Sequence, residues 1–323
     1  MKTALIVLLA LGALTFGLVQ MFALKRERSA ARDYPPMGQL VDVDGVTVHA
    51  VQMGQGPDLV LLHGASGSTR DFTFAFVDLI KDRYRVTVLD RPGMGWSGLT
   101  ETRDASAFST GHATPREQAR VLHGATQKLG VENPIVVGHS FGGIVAYAWA
   151  LEFDDLAGMV SVAGVAMPWP GGLGWTYRLN GSALGGGFAV PVFSAFLPQS
   201  YVDNSLDAIF APQDPPKDYL AYVGAAMSLR RQSMRANARQ VNHLRPQVVE
   251  MSAQYGEINV PVELVHGDAD TIVPVSIHSA RIPDLIQGAN LTVLPGIGHM
   301  PQHAAPQAVI DAIDRVATRS DLR

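Results

Sequence analysis

The sequence predicts an α/β protein: a mostly parallel, doubly wound sheet with an inserted helical cap, preceded by one N-terminal transmembrane helix. Three observations carry this reading. From residue 40 onward, short β-branched runs alternate with helix-like stretches, the pattern of a parallel sheet covered on both faces. The alternation stops between residues 166 and 257 and then resumes. Ahead of it all, Thr3 to Leu24 carries no charged residue.

That N-terminal run is long enough, at about 1.5 Å per residue, to cross a bilayer core of about 30 Å. Lys2 precedes it, and Lys25, Arg26, Arg28 and Arg32 follow. Neither Met21-Phe22-Ala23 nor Glu27-Arg28-Ser29 fits a small-x-small cleavage site well, so an uncleaved anchor over residues 1–28 is expected rather than a signal peptide. The basic residues after the span favour a cytoplasmic catalytic part, with an exported one as the alternative. Residues 29–39, with Pro35-Pro36, read as a linker. Leu40–Val43 and Val46–Val51 flank Asp44-Gly45, a hairpin signal. Strands follow at Leu59–Leu62, Tyr84–Asp90, Ile135–Val137, Met159–Ala163, Val262–His266 and Leu291–Leu294. Helices are expected over Asp71–Ile80, Pro115–Leu129, Ile144–Ala150 and Ala304–Ala317. The strandless segment holds Pro168, Pro170, Gly185-Gly186-Gly187 and a long helical pattern from Asp218 to Tyr255, so residues 166–257 read as the cap. The sheet then comprises residues 40–165 and 258–323.

Composition narrows the function. The 323 residues are 47% hydrophobic and 17% charged, enough to bury a large core. Net charge is −4 with no basic block, which argues against a nucleic-acid partner. There is no cysteine, so disulfides, thiolate chemistry and Cys-based zinc sites are excluded. No histidine pair has metal-ligand spacing with an acid partner, and no metal is expected.

The richest run is Pro134-Ile135-Val136-Val137-Gly138-His139-Ser140-Phe141-Gly142-Gly143. A serine between strand and helix, with glycine two residues either side, sits on a sharp turn with its hydroxyl outside the sheet. Such a hydroxyl needs a base to take its proton and an acid to orient the base. Val265-His266-Gly267-Asp268-Ala269-Asp270 and Gly296-Ile297-Gly298-His299 supply both, each just past a strand. Groups at the carboxyl ends of parallel strands can meet at one edge. Gly93-Met94-Gly95-Trp96-Ser97-Gly98 spells a dinucleotide fingerprint, but the polar stretch after it is no helix, and nicotinamide binding is not expected.

With His63-Gly64-Ala65 and Asp90-Arg91-Pro92-Gly93-Met94-Gly95-Trp96-Ser97 added, five motifs stand in the order of one family. Over residues 40 to 320 the chain resembles the α/β-hydrolase superfamily, in its serine-nucleophile, esterase- and lipase-like group with a helical cap. The resemblance implies an α/β-hydrolase fold and a Ser140, Asp270, His299 triad. Asp270 is preferred to Asp268 because it stands four positions before Pro274. It also implies an oxyanion hole from the backbone N–H groups of Ala65 and Phe141, and no cofactor. The leading expectation is hydrolysis of a carboxylic ester or related acyl compound through an acyl-enzyme. The small-molecule substrate is expected to be apolar, because the chain has an anchor and cap aromatics, with Trp169, Trp175 and Phe193 as pocket candidates. The alternatives are C–C cleavage of a diketone, thioester or perhydrolase chemistry on the same triad, and a non-catalytic membrane-tethered binding protein.

Overall fold

A computed structural model describes residues 1–322 of the chain. It opens with α1 (Lys2–Asp33), followed by β1 (Gln39–Val43), β2 (Val46–Met53), β3 (Asp58–Leu62), α2 (Arg70–Thr73) and β4 (Arg85–Leu89). Next come α3 (Pro115–Lys128), β5 (Ile135–His139), α4 (Phe141–Glu152) and β6 (Gly158–Val162). The cap holds α5 (Trp175–Gly181), a π-helical turn (Gly185–Ala189) running into α6 (Val190–Phe196), α7 (Gln199–Phe210), α8 (Tyr219–Val223), α9 (Arg231–Asn242) and α10 (Leu244–Ser252). Then β7 (Val262–Gly267), β8 (Asn290–Leu294), α11 (Pro301–Ala304) and α12 (Pro306–Arg319) complete the chain.

The strands form one sheet in the order β1-β2-β4-β3-β5-β6-β7-β8. The β1–β2 and β2–β4 pairs are antiparallel and the rest parallel. Asp44 and Gly45 both take positive φ, 52° and 86°, as a two-residue hairpin turn requires. The sheet is buried on both faces: one core cluster includes α3, α4 and α10 residues, the other Phe72, Phe76 and α12 residues. α3 starts on a capping box, Thr114 and Glu117 bonding each other's backbone, with Pro115 at the first helical position. Chain direction reverses across the sheet between β3 and β5, so the loops after these two strands flank a crevice at their carboxyl ends.

Three local expectations change. The helix expected over Asp71–Ile80 is broken into α2 and a 3-10 turn at Val77–Leu79. The Thr73 carbonyl, which a continuing helix would give to Val77, instead accepts a bond of 3.1 Å from the Tyr222 hydroxyl. The pattern from Asp218 to Tyr255 is also broken. Gly224 takes the left-handed conformation with the Tyr34 ring against it, and Pro246 lacks the N–H that would carry α9 past His243. The linker expected over residues 29–39 is helical as far as Asp33. Ser29, Ala30, Ala31 and Arg32 continue α1 until Tyr34, the residue before Pro35-Pro36, leaves the helix.

α1 is also not a free tether. Its N-terminal part projects from the fold, whereas Ala23 and Ala30 are buried. Glu27 pairs with Arg231 of α9 at 2.7 Å, and Arg26 bonds the carbonyls of Ala195 and Leu197 at the end of α6, 3.1 Å each.

Candidate active site

Ser140 is the residue between β5 and α4, with φ 54° and ψ −116°. This is a sterically costly conformation for a residue with a Cβ, held here by surrounding structure. Its N–H bonds the Val162 carbonyl of β6 at 3.0 Å, and its carbonyl accepts from Gly143 and Val165, 3.0 Å each. The flanking glycines are required by space: a Cβ on Gly138 would lie 2.2 Å from the Gly142 carbonyl oxygen, and one on Gly142 2.2 Å from that of Leu62.

His299 stands in the loop after β8 and Asp270 in the loop after β7, and the fold brings both to Ser140. His299 Nε2 lies 2.9 Å from Ser140 Oγ and its Nδ1 2.7 Å from Asp270 Oδ2. All three are nearly buried, at 8%, 4% and 4% exposure, so water does not screen the chain of bonds. Asp270 Oδ1 accepts the N–H groups of Ile272 and Val273 at 2.8 and 2.9 Å. Although burial opposes ionisation, the hydrogen bonds from His266 and His299 outweigh it and hold the Asp270 carboxyl well below the usual carboxylate range. Asp268 is exposed and accepts from the Gly296 N–H at 2.7 Å, away from the imidazole.

Ala65 lies after β3, in the loop facing Ser140: a Cβ on its neighbour Gly64 would sit 3.0 Å from the Ser140 Cβ. Phe141 opens α4, so its N–H belongs to the first turn, where donors have no partner within the helix. The cap clamps this loop directly: Asn237 Oδ1 accepts the Ser66 N–H at 2.8 Å, and Ser228 Oγ donates to the Ser66 carbonyl at 2.5 Å. The aromatic pocket candidates fare less evenly. Trp169 is half-buried, its ring 6.2 Å from that of His278. Phe193 is half-buried in α6, on the side of the cap that meets α1. Trp175 opens α5 and is 63% exposed.

Three groups matter that the sequence reading left without a role. Arg91 is fully buried; its guanidinium bonds the His63 and Gly64 carbonyls at 2.9 and 3.0 Å and lies 4.2 Å from the Phe141 ring centre. Gln118 and Gln240 accept its remaining donors at 2.8 and 3.1 Å, and burial pulls its pKa down to about 9. One side chain thereby ties together the segments carrying both candidate oxyanion donors. His266 lies 3.2 Å from Asp270 Oδ2 and braces it, with its own Nδ1 accepting from Ser279. His139 donates from Nε2 to the His299 carbonyl at 2.9 Å. The Arg91 signal was legible as a cation directly after a buried strand; its partners were not. Arg91→Lys keeps the charge but cannot reproduce the planar fork, so kcat on a nitrophenyl ester is expected to fall roughly tenfold or more. An unchanged kcat would remove Arg91 from the positioning of the loop.

Burial gives the molecule a pH-dependent stability. His63, His139 and His278 are each pulled down to about 4, burial being the largest cause in each. The unfolded chain therefore binds more protons between about pH 4 and 6.5, and stability is lost as pH falls through that window, by up to about 1.4 kcal/mol per pH unit for each histidine. Asp270 and Asp71, both depressed, add a further loss only below about pH 4. Thermal unfolding in detergent is expected to show a melting temperature that falls steadily from about pH 6.5 downward. A level melting temperature to pH 4.5 would contradict the neutral buried state of these histidines.

The sheet order, the strained serine after its fifth strand and the inserted cap together define an α/β hydrolase. The chain belongs to the alpha/beta hydrolase family, whose model matches residues 59–312. It is 26% identical over 308 residues to an uncharacterised protein of Mycobacterium tuberculosis, covering 90% of this chain and 84% of that one. It is also 26% identical over 266 residues to a non-heme haloperoxidase of Rhodococcus erythropolis, covering 79% and 90%. Among solved structures it is similar to an esterase from Exiguobacterium antarcticum, with a TM-score of 0.68 at 18% identity, covering 87% of this chain and 99% of that chain.

Proposed function

We propose that this hydrolase cleaves a carboxylic ester or related acyl compound, with Ser140 as nucleophile, His299 as base and Asp270 as orienting acid. The observation that carries the reading is the continuous bond chain from Ser140 Oγ through His299 to Asp270, at 2.9 and 2.7 Å. His299 Nε2 takes the hydroxyl proton as Oγ attacks the acyl carbon. The backbone N–H groups of Ala65 and Phe141 stabilise the charge that develops on the carbonyl oxygen. The tetrahedral intermediate collapses, the leaving alcohol takes the proton from His299, and an acyl-Ser140 remains. A water, deprotonated by His299, then attacks the acyl carbon; the bond to Oγ breaks, Ser140 takes the proton back from His299, and the acid is released.

The name of the Rhodococcus relative favours perhydrolase chemistry as the second reading, in which hydrogen peroxide replaces water at the last step. C–C or thioester cleavage would use the same residues. A fluorophosphonate probe is expected to label Ser140 in the full-length protein, identified by peptide mass. Absence of labelling would instead favour the membrane-tethered binding protein. We read α1 as an uncleaved anchor, residues 29–39 as the passage to the core, and residues 166–257 as the cap. The basic residues after the span favour the cytoplasmic side for the catalytic part in this reading, with an exported one as the alternative.

A further inference from the structure

The helix formed by the π-helical turn and α6, Gly185–Phe196, is apolar, and no residue between Arg178 and Asp203 is charged. Leu184, Phe188, Val192 and Phe196 recur at a spacing of four, one face of a helix, and are 72%, 52%, 43% and 53% exposed. Phe108, 51% exposed, adds its ring to the same face, 5.7 Å from that of Phe188. Exposed apolar residues scattered singly need no explanation, but a contiguous stripe does.

The stripe runs beside α1 in the same direction. The Phe16 and Phe188 rings are 5.6 Å apart, the Phe22 and Phe196 rings 5.7 Å, and Arg26 pins the end of α6. The depth of one helix therefore fixes the depth of the other. A helix crossing the hydrocarbon core needs about 20 residues. Counted from Thr3, α1 does not complete the crossing before the region of Gln20 to Phe22. Polar contacts begin there: Arg231 bonds both Gln20 and Glu27. Phe16, and Phe188 with it, then lies about one turn, roughly 6 Å, below that level, and Leu184 about another turn deeper. Phe188 thus falls within the roughly 5–10 Å to which interfacial helices bury their apolar face, and Leu184, at roughly 12 Å, reaches slightly deeper.

Charge is arranged to match. Arg28, Arg230, Arg231, Arg235 and Arg239 line a groove beside α1, with Glu27 and Asp104 as its carboxylates. Glu27 is taken by Arg231. Among the described residues Arg235 bonds only a carbonyl, that of Gly186 at 2.8 Å, and burial with the like charges of Arg231 and Arg239 pulls it down to about 10. Arg231, bonded to Gln20, stands at the level where α1 leaves the apolar layer, and Arg235, bonded to Gly186, stands below it; such guanidinium groups on long side chains suit phosphate headgroups drawn to that edge.

We infer that the cap is itself a membrane-docking element: the Leu184–Phe196 stripe enters the acyl layer of the bilayer crossed by α1, and the arginine groove meets anionic headgroups. The cap, and the loop it clamps over Ser140, then face the membrane surface. The inference rests on reading α1 as a membrane helix but not on the chemistry at Ser140.

The chain's lack of cysteine allows a direct test on the full-length protein. Leu184→Cys and Val192→Cys, each carrying a nitroxide label, would be reconstituted in phosphatidylcholine vesicles with and without phosphatidylglycerol. Leu9→Cys reports α1, and Asp311→Cys, exposed on α12 against the second core cluster, serves as the water reference. At Leu184 and Val192, collisions with oxygen are expected to exceed those with a water-soluble nickel chelate, as in lipid. Phosphatidylglycerol is expected to raise that ratio, and Arg235→Gln to abolish the increase. Cap labels as open to nickel as Asp311 would overturn the docking. If Leu9 were then in lipid, the anchor would survive without it; if not, both would fall. Cap labels shielded from both reagents, with dipolar broadening between copies, would put a second copy of the chain on this face and overturn the proposal. An Arg235→Gln variant that kept the full phosphatidylglycerol effect would overturn the headgroup assignment.

Discussion

Ser140→Ala is expected to lower kcat on a short-chain nitrophenyl ester by about a millionfold while leaving the melting temperature nearly unchanged. The loss is large because no other hydroxyl replaces Oγ at the end of the bond chain from Asp270 and His299. The stability change is small because alanine keeps the Cβ, and therefore the same positive-φ geometry, while the Ser140 N–H still bonds the Val162 carbonyl. His299→Ala is expected to lose a similar share, and the double variant no more than either single one, since such groups act as a unit. Residual activity within tenfold of wild type in a correctly folded Ser140→Ala protein would mean that another group attacks the substrate. Oxyanion donors and substrate binding alone sustain only a small residual rate.

The residues in this prediction could be chosen from the sequence because their placement is encoded locally. A glycine two positions either side of Ser140 and a β-branched run before it specify a strand, a tight turn and a helix with no knowledge of distant residues. Asp270 and His299 were accessible for the same reason, each standing just past a strand at the sheet edge where parallel strands end. What failed to read was whatever depends on a distant partner. Periodicity at Asp71–Ile80 spells a helix, but the Thr73 carbonyl is claimed by Tyr222, far along the chain in the cap. Arg91 looked like one member of a loop motif, whereas its four acceptors come from the loop after β3, from α3 and from α9. The docking of α1 was equally hidden: Glu27 and Arg231 carry no local sign that they pair. The family match supports the fold and the hydrolase class.

Asp270→Asn is expected to lower kcat by about ten thousandfold, and Asp268→Asn by no more than about twofold. The asymmetry follows from hydrogen-bond directions. Asp270 Oδ1 accepts from the Ile272 and Val273 N–H groups, so an asparagine keeps its carbonyl oxygen there. Its amide NH2 is then turned toward His299 Nδ1, where the carboxylate had accepted. Nδ1 must now accept a hydrogen bond, the imidazole takes the other tautomer, and Nε2 carries the hydrogen that blocks it from receiving the one on Ser140. The charge that stabilised the imidazolium is lost in the same step. Asp268 needs only an acceptor for the Gly296 N–H, which an asparagine oxygen supplies equally well. Steady-state kinetics on one nitrophenyl ester, with fluorophosphonate labelling rates as a second readout, compare the two variants directly. Equal losses, or a larger one at Asp268, would move the acid's role two residues back and require the loop after β7 to rearrange when substrate binds.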